Sequence, residues 1–125
     1  ILTGFRRQYV IRRLDAAKIR YVYLEHVPVE TMRWLYAALD LYVVSSRCEG
    51  GPQALLECAQ LGVPIISTPV GMAESLLAPN SINVNLLDAV PDVHHASETV
   101  LPLLTPRGFI PYRNMFASVI GDRLI

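Results

Sequence analysis

Two glutamates, Glu49 and Glu57, stand eight residues apart around a pair of glycines. Gly50 and Gly51 allow the main chain to approach a ligand closely, and the helix predicted to follow them attracts anions to its N-terminus. A diphosphate suits that position. A carboxylate in the first turns of the same helix can accept two hydrogen bonds from a vicinal diol such as a ribose.

The structural alternative for Glu57 is an ordinary exposed helix position. Glu57 falls with Gln53 and Gln60 at i, i+4 and i+7, which makes one polar stripe opposite a small apolar face. Composition alone favours this alternative, because a glutamate is also common in the N-terminal half of a solvated helix.

Short apolar runs alternate with segments of helical period, which is typical of a parallel sheet covered by helices. The predicted strands are 1–3, 19–24, 41–44, 63–67 and 82–84. The predicted helices pass through 9–14, 32–39, 52–61 and 73–77, with one more inside 93–104 and a final one inside 109–125. We expect the apolar strand 41–44 to be covered on both faces. Ligands of such sheets bind beyond the carboxyl ends of the strands, where the loop 45–52 is predicted.

The stretch from Glu49 to Gly71 reads EGGPQALLECAQLGVPIISTPVG. It resembles the E-x7-E signature of the retaining glycosyltransferases with the GT-B fold, glycosyl transferases group 1. Upstream, LEHVP at 24–28 and LYAALD at 35–40 resemble the same family's lead-in. The resemblance is clear from about Leu2 to Glu74, and it implies an α/β fold with a Rossmann-like parallel sheet and flanking helices, the C-terminal half of such an enzyme.

The resemblance also implies roles for five residues. Glu57 would bind the ribose hydroxyls of a nucleotide-sugar donor. Glu49, the catalytic position, would contact the hydroxyls of the donor sugar near the reacting carbon. Gly50 and Gly51 would offer main-chain N–H groups to the sugar or the β-phosphate, and Val27 would read the nucleobase through the backbone.

The implied activity is transfer of a hexose-type sugar from a nucleotide-diphosphate sugar to an acceptor, with retention and without a metal or other cofactor. We expect a donor-binding domain over 1–108 and a helical tail over 109–125. The acceptor-binding N-terminal domain would be missing from the chain or supplied by a partner chain, so the isolated chain would be inactive. The lack of a metal-binding Asp-x-Asp agrees with metal-free chemistry, and His94 and His95 are expected at the surface.

Three departures from the family pattern bear on the diphosphate. Pro52 stands where the family often has glycine and cannot donate an N–H, and Met72 stands where a second glycine is common. The basic pair of the family would precede the first residue. Arg6 and Arg7 are partial substitutes, although a solvated helix start explains them better.

Composition excludes some partners. Lys and Arg total 11 against 11 Asp and Glu, so no net field attracts nucleic acid or an anionic membrane. No apolar run is long enough to span a bilayer. Cys48 and Cys58 fit no disulfide framework or metal pair, and we expect both to be reduced and buried in a cytoplasmic protein.

Two other functions stay open. A degenerate or auxiliary domain of the same fold could act as an interaction module without binding nucleotide. An epimerase of the same architecture would need further acid–base residues, and the nearest one, His26, is better explained as a loop residue.

Overall fold

The computed structural model describes residues 1–51 and 53–104, together with Ile110 and Asn114. The chain divides into two compact units, Ile1–Leu35 and Tyr36–Ile125, here called unit 1 and unit 2. The predicted boundary at 108/109 and the placement of Pro52 lie outside the described residues. The predicted final helix within 109–125 lies outside them too, apart from two isolated positions.

Unit 1 is built on two short parallel strands. Strand β1, Leu2–Thr3, pairs with β2, Tyr23–Leu24, and the helix α1, Gln8–Ala16, connects them. Helix α2, Val29–Ala37, begins in unit 1 and ends in unit 2. No residue of unit 1 is fully buried.

Strand β2 is much shorter than the predicted 19–24. Gly4, with φ +87°, turns the chain directly after Thr3, so β1 offers partners to only two residues. Lys18, with φ +55°, likewise bends the chain just before the predicted strand start. Partner length, rather than the β-propensity of the sequence, sets the length of this strand.

Unit 2 carries a second parallel pair. Strand β3, Tyr42–Val44, pairs with β4, Ile65–Ser67, and helix α3, Gln53–Gln60, lies between them in sequence. The remaining elements of the described part are α4, Ala73–Leu76, α5, His94–Val100, and the 3-10 turns Pro79–Ser81, Leu86–Asp88 and Leu101–Leu103. Within the described part of the chain, no helix is long and apolar enough to cross a membrane.

Helix α3 is amphipathic in the predicted sense. Its small apolar face is buried through Leu55, Cys58 and Ala59, whereas its polar stripe is exposed. Gly62, with φ +69°, ends the helix as predicted, and the N–H of Val63 donates to the carbonyl of Cys58. The same core includes Val44, Ile65, Val70, Ala73, Leu76, Leu77, Ala96 and Val100.

Two expectations for the sheet are wrong. The predicted strand 82–84 is a single parallel bridge between Ile82 and Ser67, because a 3-10 turn precedes it and the Asn83 side chain accepts the N–H of Asn85 to turn the chain again. Strand β3 is not covered on both faces: Val44 is 4% exposed but Val43 is 44% exposed. The buried cluster, α3 included, packs on the Val44 side.

A buried carboxylate joins the end of the core to β4. Asp92 is 6% exposed, and its two carboxylate oxygens accept N–H bonds from Ala78 at 2.7 Å, His95 at 3.0 Å and Ala96 at 3.3 Å. Its backbone also exchanges two 2.9 Å hydrogen bonds with Ile65. Asp92 therefore fixes the first turn of α5 to β4.

Replacing Asp92 by alanine should lower the free energy of unfolding by about 2–3 kcal/mol, because buried N–H groups lose their acceptor. Urea denaturation followed by circular dichroism measures this change. Glu98→Ala on the exposed face of α5 is the matched control, with an expected change within about 0.5 kcal/mol. Equal stability of the two variants would contradict the assigned role of Asp92.

Candidate functional site

The segment 45–51, here called the edge loop, leaves the carboxyl end of β3, as predicted. Because β3 and β4 are parallel, the segment after β4 emerges at the same edge of the sheet. Thr68 joins the two segments: its N–H donates to Val44 O at 2.9 Å and its hydroxyl to Ser46 O at 2.6 Å. The edge loop is therefore tied to the sheet near its start.

A close main-chain contact fixes the other end of the edge loop. Gly71 has φ +51°, and a Cβ placed there would lie 2.8 Å from the carbonyl oxygens of both Glu49 and Gly50. A Cβ on Gly51 would meet the Cε of Met72 at 2.8 Å. Glycine is therefore required at 71 both for its backbone conformation and for space.

The Glu49 side chain is exposed and has one hydrogen-bond partner among the residues that the structure describes. The hydroxyl of Ser46 donates a hydrogen bond to Oε1 of Glu49. Sequence reasoning missed Ser46, although a serine three residues before an acidic residue in a turn is a usable signal. One oxygen of the carboxylate is thereby oriented, and acceptor positions stay open.

The two glycines of the edge loop present main-chain donors. Gly50 and Gly51 are exposed, and the described hydrogen bonds include none from either N–H to another described residue. A Cβ on Gly50 would meet nothing within 4 Å, so open space adjoins it. Paired N–H groups beside a helix N-terminus form a site suited to an anion.

Glu57 lies on the exposed stripe of α3 and has a partner that sequence reasoning did not foresee. The hydroxyl of Tyr36, in the last turn of α2, is hydrogen-bonded with the Glu57 carboxylate. Burial, and then the charge of Glu57, raise the pKa of Tyr36 well above its usual range. The Tyr36 ring packs edge-on against Tyr42, with centroids 6.3 Å apart. Helical spacing alone predicts Tyr36 only on the apolar face of α2.

The fifth predicted residue, Val27, belongs to unit 1. It is half-buried in the loop between β2 and α2, after the second strand as predicted. Nearby in sequence, His26 is a loop residue whose ring meets Phe5 edge-on at 4.6 Å. Arg7 is the residue directly before α1 and donates from Nε to the carbonyl of Thr3 at 2.7 Å, which agrees with a helix-start role.

The cysteines differ from one another. Cys48 is exposed in the edge loop, so its predicted burial is wrong, because the chain has left the sheet by that residue. Cys58 is buried as predicted, and burial, with a smaller contribution from the charge of Glu57, raises the pKa of its thiol to about 12. His94 and His95 are exposed as expected. Among the described residues, no group of three His, Cys, Asp or Glu side chains is placed to hold a metal ion.

Comparison with known proteins identifies a family. The sequence profile of Glycosyl transferases group 1 matches residues 2–105. No curated protein sequence matches the chain. The chain is similar to a solved structure titled sucrose-phosphate synthase from Thermosynechococcus elongatus, with a TM-score of 0.69 and 19% identity. The match covers 90% of this chain and 35% of that one, so this chain spans about a third of its length. The predicted α/β fold of a GT-B glycosyltransferase is thereby confirmed.

Gly71→Ala should destabilise the protein more than Gly62→Ala does. Both positions have positive φ, which costs an alanine about 1–2 kcal/mol, but nothing lies within 4 Å of a Cβ at 62. The clash at 71 should add about 1–3 kcal/mol and shift the amide resonances of 49–51. Urea denaturation and NMR measure the two effects. Equal destabilisation with an unmoved edge loop would contradict the close contact.

Proposed function

This chain belongs to the glycosyl transferases group 1 family, and from that premise we propose that it is the part of a glycosyltransferase that binds a nucleotide-diphosphate sugar. The observation that carries the proposal is the edge loop. It presents two exposed N–H groups and one oriented carboxylate at the carboxyl edge of β3, directly before α3. That edge is where parallel α/β folds bind ligands.

The diphosphate of the donor is proposed to bind at Gly50 and Gly51. Their N–H groups and the positive end of the α3 dipole favour negative charge. During transfer the bond between the sugar C1 and the diphosphate oxygen breaks, and its electron pair leaves with the nucleoside diphosphate. Fixed N–H dipoles stabilise the charge that develops on that leaving group, which is why no metal is required in this proposal.

The ribose of the donor is proposed to bind at Glu57. The role of Val27 at the base stays a prediction from the family resemblance. A carboxylate has about four acceptor positions, so Glu57 can keep its bond with Tyr36 while it accepts hydrogen bonds from both ribose hydroxyls. The tyrosine then restricts the carboxylate rather than competing with the diol.

The sugar is proposed to be hexose-like and to bind at Glu49. Its hydroxyls would donate to the carboxylate near the reacting carbon, where the negative charge also favours the positive charge that builds up at C1. The acceptor hydroxyl then forms the new bond to C1 and passes its proton to the departing diphosphate oxygen, with retention of configuration. Retention rests on the family resemblance.

The acceptor is proposed to bind to a part of the enzyme that this chain does not include. The chain spans about a third of the similar structure, and the described site is a single edge of one sheet. A second domain, or a partner chain that supplies it, would form the facing wall and exclude water from the transfer.

An interaction module that has lost nucleotide binding is the second candidate. The bond between Tyr36 and Glu57 favours it, because that carboxylate has a protein partner without any ligand. The first candidate predicts that the edge loop binds a nucleotide sugar, and the second predicts that it binds a partner protein.

Glu57→Ala should weaken donor binding by about tenfold or more, because hydrogen bonds to a charged acceptor are lost. Isothermal titration calorimetry with UDP-glucose, GDP-mannose and ADP-glucose measures this loss. Glu98→Ala removes the same charge from the exposed face of α5 and should bind like the wild type. The interaction module is the better function under two conditions. No donor binds the wild-type chain or shifts its NMR resonances over 50–57, and a partner protein does shift those resonances.

A further inference from the structure

We propose that Ser46 is a positioning residue that sets the orientation of the Glu49 carboxylate, and so the discrimination between a sugar-bearing donor and the bare nucleotide. This inference rests on the proposed function, because it assigns Glu49 to the sugar.

Ser46 is itself held in place by its neighbours. It is half-buried, and its carbonyl accepts the Thr68 hydroxyl at 2.6 Å. Thr68 in turn is bonded to the carbonyl of Val44 through its N–H at 2.9 Å and its hydroxyl at 3.3 Å. These bonds fix the backbone of Ser46 relative to the ends of both β3 and β4.

Ser46 in turn holds the carboxylate of Glu49 in place. Its hydroxyl donates to Oε1 of Glu49, and the carbonyl of Glu49 lies against Gly71. The glutamate is therefore held at its main chain and at its carboxylate by different partners. Immobilising a free glutamate side chain costs rotamer entropy, and the folded protein meets that cost before any sugar binds.

The hydrogen bond from Ser46 leaves the other acceptor positions of the Glu49 carboxylate available to a ligand. Ser46 engages one oxygen, so Oε2 and the remaining acceptor positions of Oε1 are open to sugar hydroxyls. The neighbouring Ser45 is exposed, and none of the described hydrogen bonds involves its side chain. Of the two adjacent serines, only Ser46 makes the side-chain contact with Glu49, so Ser45→Ala serves as a control for removing a serine hydroxyl from the same loop.

The test compares Ser46→Ala, Ser46→Thr and Ser45→Ala with the wild-type chain by calorimetry. Each protein is titrated with UDP-glucose, GDP-mannose and ADP-glucose and with the three matching nucleoside diphosphates. Ser46→Ala should weaken binding of the sugar nucleotide about fivefold and leave the nucleoside diphosphate unchanged, because only the sugar meets Glu49. Ser46→Thr, which keeps the hydroxyl, should restore the affinity, and Ser45→Ala should match the wild type.

A second measurement needs no ligand. Three-bond NMR couplings of Glu49 should show one side-chain rotamer in the wild type and in Ser45→Ala, and averaged rotamers in Ser46→Ala. Averaged rotamers in the wild type overturn the inference. So does equal weakening of sugar nucleotide and nucleoside diphosphate in Ser46→Ala, which indicates collapse of the loop.

The failures of the two proposals are distinguishable. If the wild-type chain binds a donor and Ser46→Ala does not change the affinity, the proposed function stands and the role of Ser46 is refuted. A wild type that binds none of the six compounds removes the donor-binding function, and the sugar discrimination with it.

Discussion

The contact of Gly71 with the carbonyl oxygens of Glu49 and Gly50 is the constraint on which the candidate site depends. It brings the segment after β4 against the loop after β3 with no side chain between them. The contact works only at a position with positive φ and no Cβ. Parallel pairing of the two strands places both segments at one edge, and this contact then sets the distance between them.

A second set of contacts, made by hydroxyl groups, orients the two carboxylates of the site. Thr68 holds the start of the edge loop through two carbonyls, and Ser46 extends the same chain of hydrogen bonds to Glu49. Tyr36 acts similarly on Glu57 from a different helix. Each of the two carboxylates is thus met by a hydroxyl from the protein, an arrangement in which acceptors are oriented before a ligand binds.

The sequence predicts the parts of this structure that depend on local pattern. The buried face of α3, its end at Gly62 and the position of the edge loop follow from helical period, glycine conformation and strand order. The predicted strand at 82–84 is wrong because turns on both sides limit its pairing to one bridge, between Ile82 and Ser67. The predicted length of β2 is wrong for the same reason, because turns limit its pairing with β1.

The contacts of the site itself are harder to predict, since they join residues far apart in the chain. Helical spacing identifies Tyr36 as a packing residue, and its hydroxyl reaches Glu57 only through the tertiary fold. The proximity of Gly71 to Glu49 likewise depends on strand register. Family resemblance supplied the identity of the site residues, whereas the structure supplied their neighbours.

The unequal cysteines have a practical consequence. Cys48 precedes Glu49 directly and is open to solvent, while Cys58 is buried with a pKa raised to about 12. Since only a thiolate reacts readily with alkylating reagents, a fluorophore or spin label would attach at Cys48 and leave Cys58 untouched. The native chain thus carries a single attachment point for a reporter group, one residue away from the carboxylate it would observe.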